Sequence, residues 1–414
     1  MTEEERYRLH TTASGHAFEE ARRYLPGGDS RSTVFYPPYP AVLASGEGCR
    51  VTDLDGNRLL DFSGNHSVLV HGYRHPAIVA ATRTQLELGS CFSGPTEAQL
   101  RFARHLVERI PSLRRVRFTN SGTEAVMMAL RAARRHTGRP LVAKLEGGYH
   151  GTADPVMGQD HPELVVLPAD DAAEAVAVLE RRASEIAAVV VEPVQGSAGM
   201  IPLEAGFFRA LRDATRRLGI VYVFDEVVSL RLAYGGGEEL LGIEPDITCL
   251  GKVIGGGFPL GAFGGTEEIM ALFDPSRGPP AIPHPGSYNA NPVSLAAGLA
   301  TMELLSREAI AALNRHGDQL REDIGATFRA AGVPATVTGM GSLFGIHLTG
   351  RPVRTVKDAA GGDARLRHRI FLGLYSEGVL VDPRGVGTVS TAIGEREIER
   401  FVEALRVVLG RVAD

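Results

Sequence analysis

Lysine is scarce in this 414-residue chain: Lys144, Lys252 and Lys357 are the full set, and the long basic side chains are otherwise all arginine. Each lysine is therefore weighed individually. Cysteine is equally thin. Cys49, Cys91 and Cys249 stand far apart, which excludes a disulfide framework and a CxxC metal site and fits a reducing, cytoplasmic compartment. No apolar run approaches the roughly 18 residues of a membrane span. The opening MTEEERYRLHTTASG is polar and acidic, unlike a signal or transit peptide. The formal net charge is -5, with basic residues scattered rather than blocked, so nothing points to a nucleic-acid or membrane partner.

Several motifs are also missing. There is no G-x-G-x-x-G dinucleotide fingerprint, no G-x-S-x-G and no H-E-x-x-H. The Gly251-Lys252 pair lacks the flanking residues of a P-loop. His71 and His75 are spaced four apart, but a Gly intervenes and a Pro follows, so a two-ligand helix is not expected and no metal site is assigned.

What is present is hydrophobic residues at 44%, ample for a large core, and a regular alternation. Residues 14–25 have helical spacing and stop at Pro26-Gly27-Gly28. Residues 40–62 read as short strands around the turn Asp55-Gly56-Asn57. From about 110 to about 290, short apolar runs (116–120, 140–145, 164–168, 187–193, 220–226, 247–251, 260–265) alternate with helical stretches, notably 170–184 and 205–218. Helices are expected over 292–306, 308–331 and 395–409. Short β-branched runs separated by helices predict an α/β fold: a mostly parallel central sheet with helices on both faces. The domains are read as an N-terminal segment 1–65, a large α/β domain 66–300 and a C-terminal part 301–414. The two ends together build a smaller α+β domain.

Three segments carry chemistry. After the strand VRFTN, the chain reads Asn120-Ser121-Gly122-Thr123-Glu124 and enters a helix. Open N–H groups at a helix start seat a phosphate; an ordinary Ser N-cap is the plainer alternative. The apolar strand IVYVF ends in Asp225-Glu226, where open α/β sheets bind ligands. An ionised Asp there holds a protonated pyridine nitrogen; a metal-binding or solvated carboxylate pair is the alternative. Lys252 follows an apolar strand and precedes Gly255-Gly256-Gly257. A desolvated lysine in such a place is a nucleophile; a surface lysine before a flexible loop is the alternative.

In this order and spacing the segments resemble fold-type I, class III aminotransferases that use pyridoxal 5′-phosphate (PLP). The branch is that of the glutamate-1-semialdehyde aminomutases and β-amino-acid aminotransferases. The resemblance runs from about residue 17 to the C-terminus through YLPGGDSRS, FTNSGTEAVMMALRAAR, GGYHG, VVVEPVQG, VFDEV, LGKVIGGGFPLGAFGG, GSYNANPVSLAAG and DPRGVGTVS. It implies that Lys252 carries PLP as a Schiff base and shuttles a proton. Asp225 would pair with the pyridinium. Tyr149 would stack on the ring with Val227 on its other face. Ser121, Gly122 and Thr123 would hold the phosphate, and Glu192 would support the ring and Asp225. Ser287 stands where relatives usually carry a threonine that reaches the partner subunit's phosphate, so the resemblance implies a homodimer with shared active sites.

The resemblance also bears on substrate. Arg31 aligns with a carboxylate-binding position, and arginine grips a carboxylate bidentately; a surface ion pair is the alternative. Relatives that are aminomutases usually carry a late Phe-Glu pair. Here the stretch is VDPRGVGTVS, with Arg384 as a second anchor, as in β-phenylalanine-type aminotransferases. Phe35-Tyr36 would line an apolar pocket, or serve as packing. The expected reaction is transfer of the amino group of a β-amino acid to a 2-oxo acid such as 2-oxoglutarate. The alternatives are an aminomutase, an amino-acid epimerase and, more remotely, a non-catalytic PLP-fold protein.

Overall fold

The computed structural model describes residues 1–276 and 278–412. The chain divides into two compact units: 1–75, 312–353 and 357–414 form one, and 76–311 with 354–356 form the other.

The smaller unit holds β1 (Leu43–Glu47), β2 (Arg50–Asp53) and β3 (Arg58–Asp61), an antiparallel meander. The larger unit holds β4 (Arg115–Thr119), β5 (Leu141–Leu145), β6 (Leu164–Leu167), β7 (Ile186–Val191), the short ladder of β8 (Val194–Gln195) and β9 (Ile201–Pro202), then β10 (Val221–Asp225), β11 (Ile247–Leu250) and β12 (Gly261–Gly265). The smaller unit resumes with β13 (Thr336–Thr338), β14 (Leu343–His347), β15 (Val379–Leu380) and β16 (Val386–Thr388). There β15 joins β3 in parallel, and β13-β14-β16 form a second antiparallel sheet.

The central sheet of the larger unit runs β4-β12-β11-β10-β7-β5-β6. Only β12 runs against its neighbours. The reason is the connection. Parallel neighbours need a crossover of a dozen residues or more, whereas residues 251–260 between β11 and β12 hold just the helical turn Lys252–Gly255. The chain therefore folds back, and Lys252 sits at the reversal. The helix read over 14–25 is shorter: it spans Thr12–Ala21, and Pro26 with Gly27 at φ 70° makes the stop.

Side-chain alternation along the strands sets the site. Val142, Ala188, Val190, Val221, Val223 and Ile247 face one side, against Ala125 to Ala133 of the helix Gly122–Thr137. Ala143, Val189, Val191, Tyr222 and Phe224 face the other side, against Phe207, Phe208 and Leu211 of the helix Ala205–Leu218. A sheet covered on both faces explains why these strands read as continuous apolar runs. Continuing the two-residue period puts Lys144, Glu192 and Asp225 on the face of the helix Gly122–Thr137. They lie at the carboxyl ends of β5, β7 and β10, three adjacent strands.

Candidate active site

In the larger unit, a buried carboxylate forms the floor. Asp225, 5% exposed, accepts the Val227 N–H through Oδ1 at 3.0 Å and meets His150 Nδ1 through Oδ2 at 2.8 Å. His150 is buried as well, and its Nε2 has no hydrogen-bond partner among the described residues. With Nδ1 donating to Asp225, the imidazole fixes the carboxylate as an acceptor pointing off the strand end.

Asp225 and Glu226 separate completely. Glu226 accepts the N–H groups of Gly237 at 2.9 Å and Glu238 at 2.7 Å, plus the Ser229 hydroxyl. Burial, with Glu238 nearby, pushes its carboxyl up to about 8. It ties down the 229–238 loop, and the solvated-pair alternative does not hold for it.

Glu192 takes a third position. Its Oε1 accepts the Tyr149 N–H at 2.9 Å and its Oε2 the Gly196 N–H at 3.3 Å. Burial pushes it up to about 7; His150 and the two N–H groups lower it, while Asp225 adds to the rise. Tyr149 thus stands on a loop clamped to the sheet while the residue is 47% exposed. An aromatic face held by a fixed backbone and left uncovered in its own unit is suited to stacking.

Ser121 is the N-cap of the helix Gly122–Thr137, its hydroxyl accepting the Glu124 N–H at 3.2 Å. The plainer reading of Ser121 is therefore realised, and it coexists with anion binding: the cap leaves the first-turn N–H groups of Gly122 and Thr123 outside the intrahelical ladder. Thr123 Oγ1 accepts the Thr152 N–H at 3.4 Å. The three signal segments converge here. A Cβ on Gly122 would lie 2.8 Å from Val227 Cγ2, and one on Gly251 would lie 3.2 Å from Val227 Cγ1 and 3.3 Å from the Cα of Gly122. Glycine is required at Gly122, and a side chain at Gly251 would be tight, because helix start, post-β10 turn and lysine segment touch. Lys252 follows with φ 47°, a left-handed conformation that is uncommon for a long side chain and that clusters at functional sites.

The donor set fits PLP: a helix start for the phosphate, a buried carboxylate for the pyridine nitrogen, an aromatic face and a half-buried lysine amine. Ser287 is exposed, on the turn after Gly286, and its carbonyl accepts the Cys91 thiol at 3.9 Å.

In the smaller unit, Arg31 and Arg384 are both tied to one unusual turn. Gly64, Asn65, His66 and Ser67 all have positive φ (53°, 51°, 55° and 70°), a left-handed turn that costs about 1–2 kcal/mol per non-glycine residue. Asn65 Oδ1 accepts Arg31 Nη1 at 2.8 Å. His66 Nδ1 lies 3.0 Å from Asp382 Oδ2. Asp382 takes Arg384 bidentately, at 2.9 Å for both Nε and Nη2. Burial raises the Asp382 carboxyl, but Arg384 and His66 outweigh it and hold it at about 2. Arg31 is thus no surface ion pair; its fixed partner is an amide.

The surroundings of Tyr36 are those of the packing alternative. It is buried, its hydroxyl meets Tyr7 Oη at 3.0 Å and accepts the Ala41 N–H at 2.9 Å, and its ring stands edge-on to Phe371. It packs in the core of the smaller unit, with its hydroxyl engaged by Tyr7 and by the Ala41 backbone. His71 similarly contacts Thr391 Oγ1 at 3.0 Å. Among the described residues no cluster of three or more His, Cys, Asp or Glu could hold a metal ion, and no helix is long and apolar enough to cross a membrane.

Sequence reasoning missed His150, Asn65, His66 and Asp382. His150 carried a signal, since it sits inside the GGYHG segment. Asp382 carried a weaker one: it lies two residues before Arg384. The left-handed turn had none, because Asn65, His66 and Ser67 occupy a conformation that their residue types do not demand.

Known proteins share this chain's sequence and fold. Residues 33–409 match the family described as aminotransferase class-III. The β-phenylalanine transaminase of Variovorax paradoxus is 41% identical over 404 residues, 96% of this chain and 93% of that one. The glutamate-1-semialdehyde 2,1-aminomutase of Methanothermobacter thermautotrophicus is 36% identical over 412 residues, 95% of this chain and 97% of that one. The crystal structure of an omega-transaminase from Sphaerobacter thermophilus superimposes with a TM-score of 0.95 at 42% identity, covering 99% of each chain.

Proposed function

The chain belongs to the class-III aminotransferases, and from that premise we propose that it moves the amino group of a β-amino acid with an apolar side chain to a 2-oxo acid such as 2-oxoglutarate. PLP is the family's cofactor. When bound, it supplies the electron sink that lets a carbon–hydrogen bond next to the amine ionise.

The chain's own residues supply the rest. Lys252 Nζ would hold the cofactor and, as the free amine, would move a proton from the donor's amine-bearing carbon to the cofactor and later one from the cofactor to the acceptor's carbon. Asp225, kept an acceptor by His150, holds the pyridine nitrogen protonated. Tyr149 and Val227 flank the ring. The N–H groups of Gly122 and Thr123, with the Ser121 and Thr123 hydroxyls, hold the phosphate. Arg31 and Arg384 grip carboxylates. Transamination needs one site to accept a donor and then an acceptor, and 2-oxoglutarate brings two carboxylates.

The observation that carries the reading is the tie between the two arginines. Arg31 and Arg384 are oriented from consecutive residues, Asn65 and His66 (the latter through Asp382), of one left-handed turn. Strain of this kind is retained where it orients functional groups. Likeness to a protein named for β-phenylalanine transamination agrees with this reading. Ser287, exposed in its own chain, would reach the phosphate of a second copy, which makes the active unit a homodimer.

The test is formation of glutamate from β-phenylalanine and 2-oxoglutarate by the purified, PLP-loaded protein. No glutamate with any of several β-amino acids refutes the substrate reading. A second reading, an aminomutase, is favoured by the 36% identity to a glutamate-1-semialdehyde aminomutase. It predicts, as an epimerase also would, conversion of a single substrate with no 2-oxo acid present.

A further inference from the structure

Lys144 is 2% exposed, and nothing in the reaction above uses it. It stands on β5, on the sheet face that carries Glu192 and Asp225. Its Nζ donates to the carbonyl of Gly148 at 3.2 Å and to that of Val156 at 2.9 Å. These two carbonyls bracket the segment carrying Tyr149, His150 and Gly151, so one ammonium ties down both limbs of the loop. The carbonyl of Gly148 and the N–H of Tyr149 belong to a single peptide group. That N–H is the one Glu192 accepts, at 2.9 Å. A buried cation holds the oxygen end of this peptide plane and a buried carboxylate holds its nitrogen end. Peptide groups are planar, so two fixed ends leave the plane no rotation. The Tyr149 N–Cα bond is set with it, so that only rotation about that bond is left to move the Tyr149 side chain relative to the plane, and the next residue is His150, on Asp225.

We propose that Lys144 is a positioning residue for the cofactor ring: with Glu192 it locks the Gly148–Tyr149 peptide, and this fixes where the Tyr149 face and the His150 imidazole meet the ring. Charge suits the task. A hydrogen bond from an ammonium to a carbonyl is stronger than a neutral one, and in a dry interior it tolerates little angular drift. An uncharged long side chain would fill the same volume without holding the carbonyls. Burial pulls the Lys144 ammonium down from its ordinary value, and Glu192 works against that fall.

This inference rests on the reading of Tyr149 as the residue under the PLP ring, and the experiment separates the two. Lys144→Met keeps length and apolar volume and removes the donor. Amide hydrogen exchange by mass spectrometry is followed in the cofactor-free protein for the peptide spanning 146–152 and for peptides from β7 and β10. The PLP-loaded protein is then examined by visible circular dichroism and by cofactor titration. In Lys144→Met, exchange of the 146–152 peptide rises by roughly tenfold, the equivalent of losing one charged hydrogen bond, while the sheet peptides keep their protection. The dichroic band of bound PLP changes amplitude, and cofactor affinity falls by about the same factor. Unchanged exchange at 146–152 with an unchanged dichroic band overturns the proposal, even if the melting temperature drops, since that is the pattern of a merely structural lysine. If the wild-type protein takes up no PLP, the functional reading fails, and the exchange data still decide whether the clasp exists. If Lys144→Met does not fold, Glu192→Gln weakens the other end of the same peptide plane; the same loop must then exchange faster, and protection equal to the wild type overturns the proposal.

Discussion

Replacing Gly122 by alanine tests the convergence of helix start, Val227 and lysine segment most directly. Gly122 is the first residue of its helix, with a backbone any L-residue adopts, so alanine brings no conformational penalty and a slightly better propensity. The cost is steric. The new Cβ would stand 2.8 Å from Val227 Cγ2 and 3.1 Å from Cγ1, close to 1 Å inside ordinary carbon–carbon contact. Rotating Val227 gives little relief, since both γ carbons crowd the same point and β-branched side chains are stiff at χ1. Val227 must move, and in the proposed site it moves against the cofactor ring. Overpacking of this kind costs about 1–3 kcal/mol, which as cofactor affinity is roughly 5- to 150-fold. Spectrophotometric titration of the cofactor-free variant with PLP gives the dissociation constant, and thermal melting of the same sample gives the cost to the empty fold. Val227→Ala deletes both offending carbons. The double variant should therefore recover most of the affinity lost by Gly122→Ala, beyond what the two single effects add to, with a coupling of about the same 1–3 kcal/mol. Gly122→Ala with wild-type PLP affinity, or a double variant that is simply additive, refutes the claim that Gly122 is glycine because Val227 abuts the ring site.

Three further outcomes follow from the geometry. Glu226 has its folded value raised by burial to about 8, so the folded chain binds more protons than the unfolded one between about 4.5 and 8. Its contribution is complete below that window and is lost as pH rises through it. Glu226→Gln removes the titrating group but keeps only one of the two oxygens that accept Gly237 and Glu238, so it should lower the melting temperature overall while flattening its decline from pH 5 to pH 8; a slope equal to the wild type contradicts the assignment. Asp382 shows the opposite sign. Arg384 and His66 hold it at about 2 against its burial, so its stabilisation, about 2 kcal/mol by linkage, is present above about pH 4 and disappears as pH falls toward 2. Asp382→Asn should lower stability at neutral pH and, by loosening Arg384, raise KM for 2-oxoglutarate more than it lowers kcat; an unchanged KM would show that Arg384 is not an acceptor anchor. Tyr149→Ala should weaken PLP binding by roughly tenfold, in line with about 1.5 kcal/mol for a stacked aromatic pair. The cofactor-free melting temperature should stay within a degree or two, because the ring is half-exposed; a large drop in that melting temperature would mean the ring is packing instead.

The central sheet was legible because its strands are covered on both faces. The run Ile186–Val191 is buried at every position, and a continuous apolar stretch between helices has few other homes. The helix Ala205–Leu218 appears where its spacing predicts it. Direction was less legible than position. Nothing in LGAFGG says that β12 runs backwards; only the shortness of its link to β11 does, and that is a property of the connection. The domain reading put breaks at 65 and 300, while the compact units change over at 75 and 311. The second change falls inside the helix Arg307–Ala330, where composition and periodicity have no reason to break.

The chemistry was harder to read than the strands, and the Asp225-Glu226 pair shows why. Both residues follow the same apolar strand, both are buried and both are carboxylates, so composition cannot rank them. Strand alternation can. Val221, Val223 and Asp225 lie on the face covered by the helix Gly122–Thr137, whose N-terminus offers the phosphate seat. Glu226 falls past the end of that period and is consumed by the N–H groups of Gly237 and Glu238. The same parity selects Glu192 and Lys144 from β7 and β5. Three charged residues in one apolar face look like errors in a hydrophobic pattern when each strand is taken alone. Taken together they are one polar cluster, because a sheet aligns the carboxyl ends of strands that are far apart in the chain. The partners of Arg31 and Arg384 escaped even this argument. Asn65 and His66 reach them from a left-handed turn, and backbone handedness in non-glycine residues leaves no periodic trace in a sequence.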